Sequence, residues 1–319
     1  MKRLASYVLI SGIVGAIPIQ AWAADDATDT LVNIDFSPAL LNEITQALPE
    51  SQDVNQEFLN PSYDPNIYLE DNANVSVTFL DEGAGYRNSL GYFTYDSTTF
   101  DGLTFGDIDL DGSGHIGIQE LKEVEGVEAG MVFNNASEQG GGGSLNAGDT
   151  VTLTGAEIVN IDGDSFDMVG NTQFEAGTNV GFFLLQNAWN GYQVNGWDNT
   201  YRDPLTMYTI DFLNPENSAS NTIDNAATYS RHVAMMSSVS GDNEVILGFE
   251  DLVRPYGDND FNDAVFVVRT DPVEALFADV PSTEQVISLQ AAPGPSFGGG
   301  LSGLFALSLG LIGLRRKAK

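Results

Sequence analysis

Cysteine is absent from the 319 residues, which removes disulfides and thiolate-held metal from consideration. Basic residues are scarce: 12 Lys and Arg face 45 Asp and Glu, for a net charge of −33. Six of the twelve (Lys2, Arg3, Arg315, Arg316, Lys317, Lys319) lie in the two terminal segments, so the six between them leave about −39 on the body of the chain. Such a surface repels nucleic acid and anionic lipid and attracts divalent cations. Nucleic acid is therefore excluded as a partner. Histidine occurs twice, as His115 and His232, and no His-Glu-x-x-His or Cys/His arrangement is present, so a zinc protease lacks its ligands. Carboxylate-only chemistry needs a pair of acids at working distance, and abundance of acids is not evidence for one. The chain is read as non-catalytic.

Long apolar runs are confined to the two ends, and both read as addresses. Residues 1–23 have the form of a secretory signal peptide: basic Lys2-Arg3, an apolar segment from Tyr7 to Ile19, and the small-x-small site Ala21-Trp22-Ala23. Residues 273–296 read as a linker, and residues 297–319 as a sorting or transmembrane tail. Within them Pro293-Gly294-Pro295-Ser296 and Gly298-Gly299-Gly300 precede the apolar run 301–314, followed by Arg315-Arg316-Lys317. This tripartite end resembles bacterial C-terminal sorting signals of the GlyGly-CTERM type and, less closely, the PEP-CTERM type. The resemblance implies recognition by a membrane sorting protease and transfer to the surface or release; the alternative is a retained anchor. The expected location is the cell surface or the exterior, with transient anchoring through the C-terminal helix.

Between the ends the pattern is that of strands. Ser37-Pro38 starts one amphipathic helix, with Leu40, Leu41, Ile44, Ala47 and Leu48 on one face and Pro49 at its end. From Val75 onward, short apolar runs alternate with Gly, Asn and Asp turns: 75–79, 90–95, 131–133, 151–153, 180–185, 205–212, 231–236, 244–249 and 264–268. This argues a mainly β protein, an antiparallel sandwich or jelly roll with a short N-terminal helix. The expected divisions are a lead-in over 24–70, a β-region over 71–175 and a second β-unit over 176–272.

Residues 109–120 have the spacing of a twelve-residue EF-hand calcium loop. Asp109, Asp111 and Ser113 occupy positions 1, 3 and 5, and Gly114 takes the sharp bend at position 6. His115 offers its backbone carbonyl, Gly117 leaves room for a water, and Glu120 closes the site with two oxygens. A register starting at Asp107 places Ile118 where the last carboxylate is needed, and fails. Gly102, Gly106 and the nearby threonines argue against an entering helix; residues 118–125 suit a short exiting one. Calcium is thus the expected cofactor, in a loop embedded among strands without a partner hand, which favours a structural role over a sensor.

A second acidic group, Gly257-Asp258-Asn259-Asp260-Phe261-Asn262-Asp263, follows Gly248-Phe249-Glu250-Asp251-Leu252. Read as an EF loop it places Asp263 at position 6 and Arg269 at position 12, and fails. Either Asp258, Asp260, Asn262 and Asp263 hold a cation, or they cap the backbone amides of their own turn. These two elements, with Val180-Gly181-Phe182-Phe183-Leu184, resemble the bacterial domain of unknown function 4114 over roughly residues 175–270. The resemblance implies a secreted or surface protein and brings no established reaction. Asp162, Asp164 and Asp167 form a third cluster, either a cation turn or an exposed Asp-Gly hairpin.

Trp189, Tyr192, Trp197 and Tyr201 interleave with Asn187, Asn190, Asn195 and Asn199. Aromatic faces beside amides suit sugar rings, and they equally suit packing at a sandwich edge. Two functions remain: a calcium-rigidified structural or adhesion protein of the cell surface, or a calcium-dependent carbohydrate-binding module. The corresponding partners are surface proteins or an extracellular polysaccharide.

Overall fold

The computed structural model describes residues 31–283 apart from 65, 201, 223–227 and 238–243. The signal-peptide and sorting-tail readings, and Tyr201, lie outside the described residues. Among those residues no helix is long and apolar enough to cross a membrane.

Two six-stranded antiparallel sheets face each other. The first runs β1 (Val32–Asn33), β6 (Asp149–Thr152), β3 (Asn74–Asp81), β13 (Ala264–Asp271), β12 (Val245–Phe249) and β11 (Val233–Ser237). The second runs β14 (Leu276–Phe277), β2 (Ile67–Leu69), β9 (Asn179–Leu185), β4 (Ser89–Tyr95) and β5 (Glu128–Phe133), with β10 (Thr206–Tyr208) also paired to β9. A separate hairpin joins β7 (Glu157–Asp162) to β8 (Ser165–Val169). The fold is an antiparallel β-sandwich, as the strand pattern led one to expect. Each sheet contains strands from both sides of the 175/176 division, with β3 paired to β13 in the first and β9 set between β2 and β4 in the second, so residues 71–175 and 176–272 share one core.

Alternation along each strand distributes the apolar side chains over three layers. Val75, Val77, Phe79, Phe182, Leu184, Leu247, Phe249 and Phe266 fill the space between the sheets. On the outer face of the first sheet, Ala234, Met236, Ile246, Val265 and Val267 meet Leu40, Ile44 and Ala47 of helix α1 (Pro38–Ala47). Ser37 caps that helix, its hydroxyl oxygen accepting from the Leu40 amide at 3.2 Å, as its place before Pro38 led one to expect. On the outer face of the second sheet, Phe93, Tyr95, Phe183, Leu185 and Tyr208 meet Phe105, Ile108, Ile116, Ile118 and Leu121. Each sheet is therefore covered on both faces, which is why all seven residues of β9 are buried instead of every second one.

Two glycines make the close packing of the second sheet possible. Gly91 pairs with Phe183 across β4 and β9, and Gly181 pairs with Phe93. A Cβ on Gly91 would lie 2.1 Å from the Phe183 ring, and one on Gly181 2.3 Å from the Phe93 ring. Each ring lies over the bare backbone opposite it, an arrangement that fixes the register of the two strands.

Candidate metal centre

The loop 109–120 sits between two single-turn helices, α2 (Phe105–Ile108) and α3 (Ile118–Leu121). The entering turn corrects the expectation, drawn from Gly102, Gly106 and the threonines, that an entering helix is doubtful. Asp107 accepts hydrogen bonds from the Thr104 amide at 2.8 Å and the Thr104 hydroxyl at 2.6 Å, and this local cap sustains one turn. Phe105 and Ile108 then anchor the turn on the second sheet.

The ring of oxygens is assembled by the backbone of the loop itself. Carboxylate oxygens of Asp109, Asp111 and Glu120 lie within 4.8 Å of one another. Glu120 reaches back across the loop: one oxygen accepts from the amides of Leu110 (2.7 Å) and Asp111 (3.1 Å), the other from Gly117 (2.9 Å). Asp109 Oδ2 accepts from the Gly114 amide at 3.1 Å, and Gly114 has φ +89°, the bend that glycine adopts without steric cost. Asp111 Oδ1 accepts from the Ser113 amide at 2.8 Å, and this bond holds the carboxyl below the usual carboxylate range. The Ser113 hydroxyl donates to the His115 carbonyl at 2.9 Å, so the oxygens at positions 5 and 7 are neighbours. Asp109 Oδ1 is shielded from solvent without a hydrogen-bond partner. Three neighbouring carboxylates, one of them with an orphaned oxygen, form a donor set that suits a hard, oxygen-seeking cation.

The rest of the protein grips this loop from residues 194–220. The Tyr208 hydroxyl donates to the Ile116 carbonyl at 2.8 Å, and Gln119 Nε2 donates to the Gly196 carbonyl at 2.8 Å. Asp203 Oδ2 lies 2.9 Å from His115 Nε2. Its Oδ1 stands 2.4 Å from where a Cβ of Gly117 would be, so a carboxylate from elsewhere in the chain fills the space beside the bare ninth position. Sequence spacing offers no signal for Asp203, which lies 83 positions beyond the last residue of the loop.

The second acidic group is joined by two further acids, Glu250 and Asp251. Asp258 and Asp260 lie together with Glu250, and Asp263 lies with Glu250 and Asp251, each trio with oxygens within 4.8 Å. Glu250 and Asp251 were missed as site residues because they come from the end of β12, although the Gly-Phe-Glu-Asp-Leu element that carries them was visible. Asn262 Nδ2 donates to Glu50 at 2.8 Å. Asp260 accepts from the amides of Ser51 (2.8 Å) and Asn262 (3.3 Å), so part of the turn does cap backbone. Burial pushes the Glu250 carboxyl up to about 7 and raises Asp251 and Asp263 as well.

The third cluster forms the hairpin between β7 and β8, with Gly163 at φ +67° in a two-residue turn. Of the aromatic group, Trp197 is stacked on Phe183 with ring centroids 6.4 Å apart and has Lys122 Nζ 4.5 Å from its centre. Trp189 lines a cleft of about 220 Å³ with Asn134, Asn135 and Leu31, and Tyr192 is 94% exposed.

Residues 174–271 match the family model of a domain of unknown function, DUF4114. No curated protein and no solved structure matches the chain. The DUF4114 segment supplies β9 to β13, and it also supplies Gly196, Asp203 and Tyr208, which hold the loop 109–120 from outside.

Proposed function

We propose that the chain is an exported, surface-sorted structural or adhesion protein without catalytic activity, and that calcium in the loop 109–120 rigidifies its β-sandwich. The observation that carries this reading is the trio Asp109, Asp111 and Glu120 with the orphaned Asp109 Oδ1, set in a loop whose two short helices cover the second sheet. The strongly acidic surface suits a calcium-rich exterior, where even modest affinity keeps such a site filled. Signal peptide and tail would deliver the chain there, the tail being read by a membrane sorting protease. Thermal unfolding with and without chelator tests the calcium reading. Chelator lowers Tm by several degrees in the wild type and much less in Glu120→Gln; superimposable wild-type curves would rule out a structural ion.

A second reading, a calcium-dependent carbohydrate-binding module, draws on Trp189 beside Asn134 and Asn135 in an open cleft. Gln119, one residue before the last ligand position, bonds Gly196 within the same aromatic loop, so an ion at 109–120 would steady that loop.

A further inference from the structure

The carboxylates gathered around Glu250 lie at the opposite end of the DUF4114 segment from its contacts with the loop 109–120. Glu250 belongs to both trios, sharing 4.8 Å neighbourhoods with Asp258 and Asp260 on one side and with Asp251 and Asp263 on the other. Four of the five are buried, and only Asp258 is exposed. None of the ion pairs among the described residues involves any of the five. Arg254 is close, but its guanidinium donates to Asn259 Oδ1 and to the Arg231 carbonyl, both at 2.9 Å, and stands 5.0 Å from the Phe261 ring.

An acidic cluster alone would be no site. Here Glu250 is fully buried, and its Oε2 has no hydrogen-bond partner. A buried carboxylate oxygen without a hydrogen-bond donor or a direct ion pair is costly, and a cation bound beside it reduces that cost. The other acids are already oriented by the chain: Asp263 Oδ2 accepts from the Asp251 amide at 2.7 Å, Asp251 Oδ2 from Asn88 Nδ2 at 2.6 Å, and Asp260 from Ser51 and Asn262. Asp251 and Asp263 each have one oxygen tied in this way and Asp260 has both, so the fold sets their direction before any ion arrives.

We propose that this cluster is a second divalent-cation site, with Glu250 as its central ligand, Asp258 on its solvent side, and Asp251, Asp260 and Asp263 as its buried ligands. Carboxylate oxygens alone, in this number, suit calcium better than zinc or copper. Asp258 gives the ion its way in. The site joins the end of β12 to the start of β13 and, through Asp260 and Ser51, to the segment after α1. It therefore closes the first sheet much as the loop 109–120 closes the second.

Calcium titration calorimetry on the full chain tests this independently of the first site. Two ions per wild-type chain and one per Glu120→Gln chain are expected. The remaining site should weaken at least tenfold when Asp258→Asn is added, a change at an exposed side chain that the fold tolerates. One ion in the wild type and none in Glu120→Gln would overturn the second site and leave the first standing. One ion in both would support the second site and remove the first. Equal affinity of Glu120→Gln with and without Asp258→Asn would also overturn the assignment, as the residual ion would then lie elsewhere.

Discussion

The Tyr208 hydroxyl donates a 2.8 Å hydrogen bond to the carbonyl of Ile116, joining a strand of the DUF4114 segment to the eighth position of the loop 109–120. Both residues are fully buried, and burial pushes the phenol well above its ordinary range, so it remains a donor at any physiological pH. Tyr208→Phe keeps the ring and its edge contact with Phe93 and leaves the Ile116 carbonyl without that donor. The expected loss is about 1–2 kcal/mol of stability, read by denaturant unfolding with calcium present. Calcium affinity should fall with it, because the bond fixes the carbonyl next to the seventh ligand position. An unchanged midpoint and affinity would show that the loop holds its shape without the sheet.

Asp203 offers a sharper test of the loop's surroundings. Its carboxylate borders the bare position at Gly117 and lies near enough to Asp109 and Asp111 to feel their charge. Asp203→Asn retains the shape and removes one negative charge, so calcium should bind about three- to tenfold more weakly, most clearly at low ionic strength. Gly117→Ala should act in the same direction by a different route, since its Cβ would displace the Asp203 carboxylate. Wild-type affinity in both variants would mean that the loop's own residues suffice.

These two residues also mark how far the sequence could be read. The helix at Ser37-Pro38, the strands rich in Val and Phe, and the candidate ligands of the loop all rest on local spacing, with a period or motif contained within a dozen residues. Short edge strands such as Val32–Asn33 and Leu276–Phe277 have no period to read. The run 205–212 looked like one strand, but β10 ends at Tyr208 because Asn214 takes over its backbone: its side chain accepts from the Tyr208 amide at 2.7 Å and donates to the Tyr208 carbonyl at 2.9 Å. Asp203 and Glu250 come to their sites through tertiary folding, which leaves no mark at fixed spacing. The aromatic group divides for the same reason, since only the fold reveals that Trp197 is packed between Lys122 and Phe183 while Tyr192 is free in solvent.

Glu82 supplies a pH effect separable from metal. Burial pushes its carboxyl up to about 7, although one oxygen accepts from the Glu138 amide at 3.2 Å. A carboxyl raised in the folded state favours folding most when protonated, so its contribution is full below about 4.5 and is lost as pH rises through about 7. With chelator present, wild-type stability should decline over that window, and Glu82→Gln should flatten the decline by about 1 kcal/mol, since solvent screens part of the charge. Parallel profiles for the two proteins would assign the pH dependence to other acids.

The aromatic loop separates a binding role from a packing one. Trp197→Ala removes the partner of both Phe183 and Lys122, so it should lower Tm by several degrees whatever the protein binds. Tyr192 is 94% exposed, and Tyr192→Ala should leave Tm unchanged. Trp189 lines the cleft with Asn134 and Asn135, where an aromatic face and amides could together engage a sugar ring. On a glycan array, retention by the wild type that is lost in Trp189→Ala, kept in a folded Trp197→Ala at low temperature, and weakened by chelator would establish the carbohydrate-binding reading. The chelator arm matters because Gln119 and Lys122, in and just after α3, hold Gly196 and Trp197, so a loosened ion site should disorder the aromatic loop. Absence of retention by the wild type on any glycan would leave the calcium-rigidified sandwich as a structural or adhesive element that acts through protein contacts.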